Sequence, residues 1–345
     1  MAQIPELLND PSWFPAALDT RAATITFARI SRDALSREAF LDQRMDGSVT
    51  GRETVSLPDI VAAVAKEQHK SPAFIFHSAF CCSTLLATAL DVPGSTLALK
   101  EPNILMDLAN ALRVDAEARQ SPKHAETLVQ MVFTLLATPP ANNEAILIKP
   151  TNAANNLLPY AIRSGAQVLL LYGSLRSFLV SVLKKGEACK SFVRGQYNIF
   201  ALDTEGLAAI PQRQAVAFTD LQAAALVWRH QLELFQRTVA ASERDQAASL
   251  DFKRLTAQPV PALQAVAGHL NLPHNHTQLE SIANGPVFRR NAKFTGQVFS
   301  PEQADQDVQR IEQQYGETLD LIENWANQIN LGTAVSTPLP AGIMA

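Results

Sequence analysis

Cysteine is scarce in this chain. Cys81, Cys82 and Cys189 are three residues in 345, too few and too oddly placed for a disulfide framework. A reducing, cytoplasmic setting is therefore expected. Long apolar runs are missing as well: stretches such as Val168–Tyr172 fall far short of the ~20 residues a membrane helix needs. The first fourteen residues carry neither the basic start nor the apolar core of a secretory signal. Nor is there a basic excess. With 33 acidic against 29 basic side chains the net charge is −4, which argues against nucleic acid or an anionic membrane as a partner. The seven histidines show no paired ligand spacing with cysteines or acids, so no metal is expected. Internal repeats and low-complexity blocks are absent.

What is present is a large hydrophobic complement, 47% of the residues, ample for one large core. Short apolar runs of strand type alternate with helical periodicity. Ala73–His77, Ala98–Lys100, Ala145–Ile148 and Val168–Tyr172 read as strands. Leu85–Leu90, His124–Thr138, Asn155–Ser164, Leu175–Lys185, Leu221–Thr238, Leu263–Leu270 and Val308–Ile329 read as helices. Before them, Ala23–Ile30 suggests a short strand, and Ser36–Asp42 and Ile60–Gln68 suggest helices.

This alternation predicts a three-layer α/β/α fold with a mostly parallel central sheet. Residues 1–70 form an expected accessory segment packed on a core domain of 71–330, and 331–345, rich in Gly, Pro and Thr, an expected loose tail. Parallel sheets bind ligands beyond the C-terminal ends of their strands. The turns after His77, Lys100, Ile148 and Tyr172 therefore share one rim.

The first of these turns, His77-Ser78-Ala79-Phe80-Cys81-Cys82-Ser83-Thr84, joins a strand to a helix through small residues. That arrangement holds phosphate: backbone N–H groups point inward, the helix start adds positive charge, and Ser83 and Thr84 offer hydroxyls. A simple helix cap by Ser83 or Thr84 fits the same residues. The turn contains no Gly-Lys pair, so it is not a Walker A motif, and magnesium-dependent hydrolysis of ATP or GTP is disfavoured.

The segment Phe74–Leu86 resembles the 5′-phosphosulfate loop of sulfotransferases, where a strand leads into a basic residue and then Ser-Gly-Thr/Ser-Thr/Ser. Lys149-Pro150-Thr151-Asn152, Val168–Tyr172 followed by Ser181, and Ser249–Leu255 followed by Leu263–Leu272 match that family in order, so the likeness runs from about Ala73 to Trp325. It implies a P-loop nucleoside triphosphate hydrolase-like fold and 3′-phosphoadenosine 5′-phosphosulfate as co-substrate. Residues 78–84 would hold the 5′-phosphosulfate, and Ser181 the 3′-phosphate. Two departures stand out: the loop's usual cation is Phe80 here, and the family's arginine eight residues before the serine falls on Gly173.

Replacement charge has two sources in the sequence. Ser181 and Lys185 lie four apart on one helix with Arg176 a turn earlier, a candidate phosphate cluster that could equally be a lysine-decorated helix end. Arg289 and Arg290 loosely resemble the family's Arg-Lys-Gly loop, or are a solvated run; their planar forks suit phosphate or sulfate.

Transfer of a sulfuryl group asks for alignment and for charge on the leaving oxygen. Lys149, ending a strand, is the candidate for that charge, unless a carboxylate ties it down structurally. Glu101, in Lys100-Glu101-Pro102, is the candidate base for a hydroxyl or amine acceptor, or else an ion-pair partner for Lys149 or a cap for the next helix. His77 is the second candidate base. Cys81 and Cys82 read as small residues filling a tight turn. A relative that binds a nucleotide or other anion without catalysis remains the alternative. The small-molecule acceptor and the oligomeric state have no signature.

Overall fold

The computed structural model describes residues 3–65, 72–114, 121–137, 144–243, 245–289, 301–329 and 334–344. Two sheets organise it. Strands β1 (Trp13–Asp19), β2 (Thr24–Arg29) and β3 (Gly51–Ser56) make an antiparallel meander. Strands β4 (Ala73–His77), β5 (Thr96–Lys100), β6 (Ala145–Lys149), β7 (Val168–Tyr172) and β8 (Ala247–Asp251) make a parallel sheet in the order β5-β6-β4-β7-β8. Every residue of β4, β5 and β7 is buried, which is why these strands read as unbroken apolar runs rather than as alternation.

The pleat sends alternate residues to two cores. Phe74, Phe76, Leu97, Ile148 and Leu170 face one, with helices α3 (Asn103–Val114), α4 (Pro122–Ala137), α5 (Leu175–Lys185) and α7 (Asp220–Ala241). Ile75, Ala98, Leu147, Leu169 and Leu171 face the other, with α2 (Ser83–Ala89), α8 (Pro259–His269) and α9 (His276–Asn284). The result is a three-layer α/β/α fold. Helix α6 (Glu187–Phe200) packs on α5 and α7, and α10 (Pro301–Gln328) covers α5 and α7 from outside.

The meander shares the first core. Phe14 and Phe27 are buried in the same cluster as Leu97 and Leu135, and β1 packs on α3 and α4. Helix α1 (Leu57–Val64) follows β3 and lies against α4. The helix expected over Ser36–Asp42 forms earlier, at Arg32–Arg37, because Ser31 caps it by accepting from Ala34 N at 3.2 Å. Residues 152–163, expected as one helix from Asn155, are a 3₁₀ segment (Asn152–Leu157) and then a short α-helix (Leu158–Arg163).

The tail is a correction. Its described part, 334–344, is docked rather than loose: Ser249 N donates to Ala341 O (2.8 Å) and Ile343 N to Ser249 O (3.1 Å). Leu339 N donates to the Tyr172 hydroxyl at 3.0 Å. The open edge of β8 presents unpaired backbone groups, and the tail satisfies them despite its poor strand composition.

Candidate active site

The chain leaves β4, makes α2, and forms β5 at the far edge. It returns as β6 beside β4, then passes to the other side of β4 as β7. The winding direction therefore reverses at β4, and the crevice beyond its C-terminal end is the switch point where open parallel sheets take ligands. His77 is the last residue of β4, so the turn 78–82 lies at that point.

The turn's backbone is unusual. Ala79 (φ 64), Phe80 (φ 52) and Cys82 (φ 59) all lie in the left-handed region without being glycine, at a cost on the order of 1 kcal/mol or more each. Consecutive backbone N–H groups in such a conformation can converge on one side, a geometry that suits an anion. The N–H groups of Phe80, Cys81, Ser83 and Thr84 make no hydrogen bond among the described residues. Ser78 Oγ and Thr84 Oγ1, in residues 1% and 2% exposed, likewise have none.

Two devices hold the strained turn. Ala79 N donates to His77 Nδ1 (3.1 Å), which leaves Nε2 as the protonated nitrogen, donating to Pro150 O at 3.1 Å. His77 is thus a buried brace between the turn and β6, both ring nitrogens engaged; to act as a base it would have to release one of these bonds. The second device is a cluster of buried amides. Gln231, on α7, donates to Ser78 O (3.3 Å) and accepts from Asn152 Nδ2 (3.1 Å) and Asn155 Nδ2 (3.3 Å). Asn155 also donates to His77 O (3.1 Å), and Asn152 to Gln196 Oε1 (3.1 Å). With its carbonyls anchored inward, the turn keeps its N–H groups available.

Cys81 is sealed beneath the turn. Its thiol donates to Leu171 O at 3.4 Å, and burial, reinforced by the neighbouring Cys82, pushes its pKa up to about 12. It is a neutral packing group.

On the β6 side, Lys149 and Glu101 meet. Lys149 Nζ lies 2.5 Å from Glu101 Oε1; the lysine side chain is 0% exposed and the glutamate side chain 16%. Glu101 N also donates to Lys149 O (2.7 Å), and Glu101 is itself left-handed (φ 53). The ammonium is therefore buried behind a carboxylate that still reaches water. Next to it, Lys100 Nζ is buried on Ser36 O (2.6 Å) and Asp91 (3.4 Å), and burial lowers its pKa.

The cation cluster expected on α5 divides. Arg176 is held by α10: Nη2 to Glu312 (2.7 Å), Nη1 to Asp320 (2.5 Å) and to Glu323 (3.1 Å). The Glu312 hydrogen bond leads in raising its pKa. Its charge is committed to a helix more than a hundred residues downstream, which no local spacing reveals. Lys184 pairs with Asp307 at 2.9 Å. Lys185 instead sits over the Phe80 ring, Nζ 3.8 Å from the centroid. Ser181 lies one turn before Lys185, half-buried. At Gly173 a Cβ would meet the Phe252 ring at 2.7 Å, so a side chain there requires that ring to move. Trp228 Nε1 donates to Gly173 O (2.8 Å). Arg289 ends a 3₁₀ turn, Pro286–Arg289, packed against α2; Arg290 lies outside the described residues.

Sequence reasoning missed Asn155, Gln196 and Gln231, whose common role exists only once α6 and α7 pack beneath the turn. It also missed the contribution of the N-terminal segment. Leu41 N donates to Lys100 O (2.8 Å) and Asn103 N to Leu41 O (2.9 Å), which stitches that segment to the β5 end of the rim. Arg44, stacked on Phe40 at 3.5 Å, is paired with Asp42, and the charge of Glu101 adds to the rise in its pKa.

Among the described residues, no group of three or more His, Cys, Asp or Glu is arranged to hold a metal, and no helix is long and apolar enough to cross a membrane. No family model and no curated protein matches the chain. Solved structures similar to it at low identity include the following three. The sulfotransferase domain from the curacin biosynthetic pathway has 14% identity and a TM-score of 0.43, over 72% of this chain and 99% of that one. The sulfotransferase domain from the Synechococcus PCC 7002 olefin synthase has 13% and 0.38, over 79% and 93%. Mouse sulfotransferase SULT7A1, complexed with PAP, has 10% and 0.37, over 80% and 97%.

Proposed function

We propose that this chain is a sulfotransferase that takes a sulfuryl group from 3′-phosphoadenosine 5′-phosphosulfate to a hydroxyl or amine acceptor. The observation that carries it is the meeting of a strained, N–H-rich turn with the Lys149–Glu101 pair at the switch point of a parallel sheet. The turn's uncommitted N–H groups and the unpartnered hydroxyls of Ser78 and Thr84 fit a phosphosulfate. Ser181 is assigned to the 3′-phosphate by its resemblance to the family serine.

The donor supplies a sulfuryl group activated by a phosphate leaving group. Glu101 takes the acceptor's proton as the acceptor O–S or N–S bond forms and the donor's S–O bond to phosphate breaks. Lys149 turns its ammonium from Glu101 toward the oxygen that gains charge, a stabilisation of ~10²–10³-fold in turnover for one well-placed donor.

A second reading, an anion-binding protein without catalysis, draws on Arg176 being committed to α10 and on Phe252 lying against Gly173. Calorimetric titration with adenosine 3′,5′-bisphosphate, beside Ser181→Ala, tests the first. Micromolar binding that weakens in the variant is expected. A folded protein that binds no bisphosphate would refute the sulfotransferase assignment and leave the second reading standing.

A further inference from the structure

The residue that stands in the turn where its motif calls for a cation is Phe80, and the structure gives that aromatic ring a cation of its own. Lys185 Nζ lies 3.8 Å from the ring centroid, well inside the range of a cation–π contact. The ring is fixed from behind by Phe178 (5.1 Å) and Phe192 (5.9 Å). Its backbone, at φ 52, belongs to the strained turn itself. A fixed aromatic face localises a lysine ammonium carried on a four-carbon stem. The other two cations of the same helix are tied to α10 by Glu312, Asp320, Glu323 and Asp307. Two hydroxyl donors of the turn, Ser78 and Thr84, are more than nine-tenths buried and make no hydrogen bond among the described residues.

We infer that the cation of the anion-binding turn has moved off the turn: Phe80 and Lys185 act as one unit, the ring holding the ammonium against a phosphate or sulfate group bound at residues 78–84. Lys185 thereby serves the turn itself rather than sharing the 3′-phosphate with Ser181. The inference rests on the donor-binding reading above for its ligand, but the chemistry it names is that of any tetrahedral oxyanion.

The test is a rescue experiment by titration calorimetry, with adenosine 3′,5′-bisphosphate in one arm and inorganic sulfate in the other, and circular dichroism to establish folding. Lys185→Ala is expected to weaken binding about 10-fold, the loss of one charge-assisted contact. Phe80→Lys combined with Lys185→Ala returns the cation to the turn and recovers affinity to within about threefold of the parent. Phe80→Leu, which keeps Lys185 but removes its platform, weakens binding about threefold. Parental affinity in Lys185→Ala overturns the inference, as does a folded double variant that binds no better than Lys185→Ala. Should the double variant not fold, Phe80→Leu decides: unchanged binding there overturns the inference. If sulfate follows this order and the bisphosphate does not bind, the Phe80–Lys185 unit stands and the nucleotide reading fails. If the bisphosphate binds equally well in every variant, the reverse holds.

Discussion

Lys149 and Glu101 form an unequal pair, and the inequality predicts which half is more costly to remove. At 2.5 Å, with an effective dielectric of ~20, the gross attraction between the two charges is roughly 7 kcal/mol. Desolvation takes back several kcal/mol per buried ion. The lysine side chain is 0% exposed and the glutamate 16%, so the two do not suffer equally when stranded. Glu101→Gln replaces the carboxylate partner of a fully buried ammonium by a neutral amide and should cost about 3–5 kcal/mol. Lys149→Met, close in length and unbranched, leaves a carboxylate that still meets water and should cost about 1–2 kcal/mol. The double variant removes both charges and should be less destabilised than Glu101→Gln alone, with a coupling of at least ~1 kcal/mol. Equilibrium unfolding in urea at neutral pH, with unchanged m, reads these values. The reasoning is refuted if Lys149→Met costs as much as Glu101→Gln, or if the coupling falls below ~0.5 kcal/mol. Turnover separates the chemical role from the structural one. Lys149→Met should lose activity far more than bisphosphate affinity, and full activity would remove Lys149 from the mechanism.

Two further predictions concern groups outside the transfer step. His230, packed on Phe200 at 4.9 Å, is held neutral: burial first, then Arg237 and Arg113, lowers its pKa to about 4 from the 6.5 of an unperturbed histidine. Because the folded pKa is the lower one, its penalty is absent above about pH 6.5 and grows as pH falls to about 4. It reaches about 3 kcal/mol there, where the folded group is half protonated. Unfolding free energies at pH 7.5 and 4 should therefore differ by about 3 kcal/mol more in the parent than in His230→Phe; equal differences would show that burial does not depress this histidine. The thiols give the second prediction. Cys81 and Cys189 are 1% and 5% exposed while Cys82 is half-buried, so a thiol reagent at pH 8 should modify one cysteine quickly in the folded protein and three in denaturant. Cys82→Ser should abolish the fast phase, and its survival would place Cys81 at the surface.

The sequence by itself determined the strands of the central sheet and the rim they create. Ala73–His77, Ala145–Lys149 and Val168–Tyr172 are mostly apolar because both faces of a parallel sheet are covered, and short apolar runs bounded by turn residues are what such strands leave in a sequence. It also marked His77 and Lys149, which end two of those strands, and Glu101, which directly follows β5, since a polar group at the end of an apolar run is conspicuous. The meander was barely legible. Gly51–Ser56 alternates half-buried with exposed residues and includes Arg52 and Glu53, so its strand character comes from pairing with β2. Only the tertiary structure decided who pairs with whom. Whether Lys149 meets a carboxylate, whether Arg176 faces a ligand or α10, and which amides hold the turn depend on contacts between residues 48 to 153 apart. Periodicity reports the environment of a side chain along its own helix or strand. The identity of its partner is set by how those elements pack, and there a charge predicted for a ligand can be taken by a neighbouring helix.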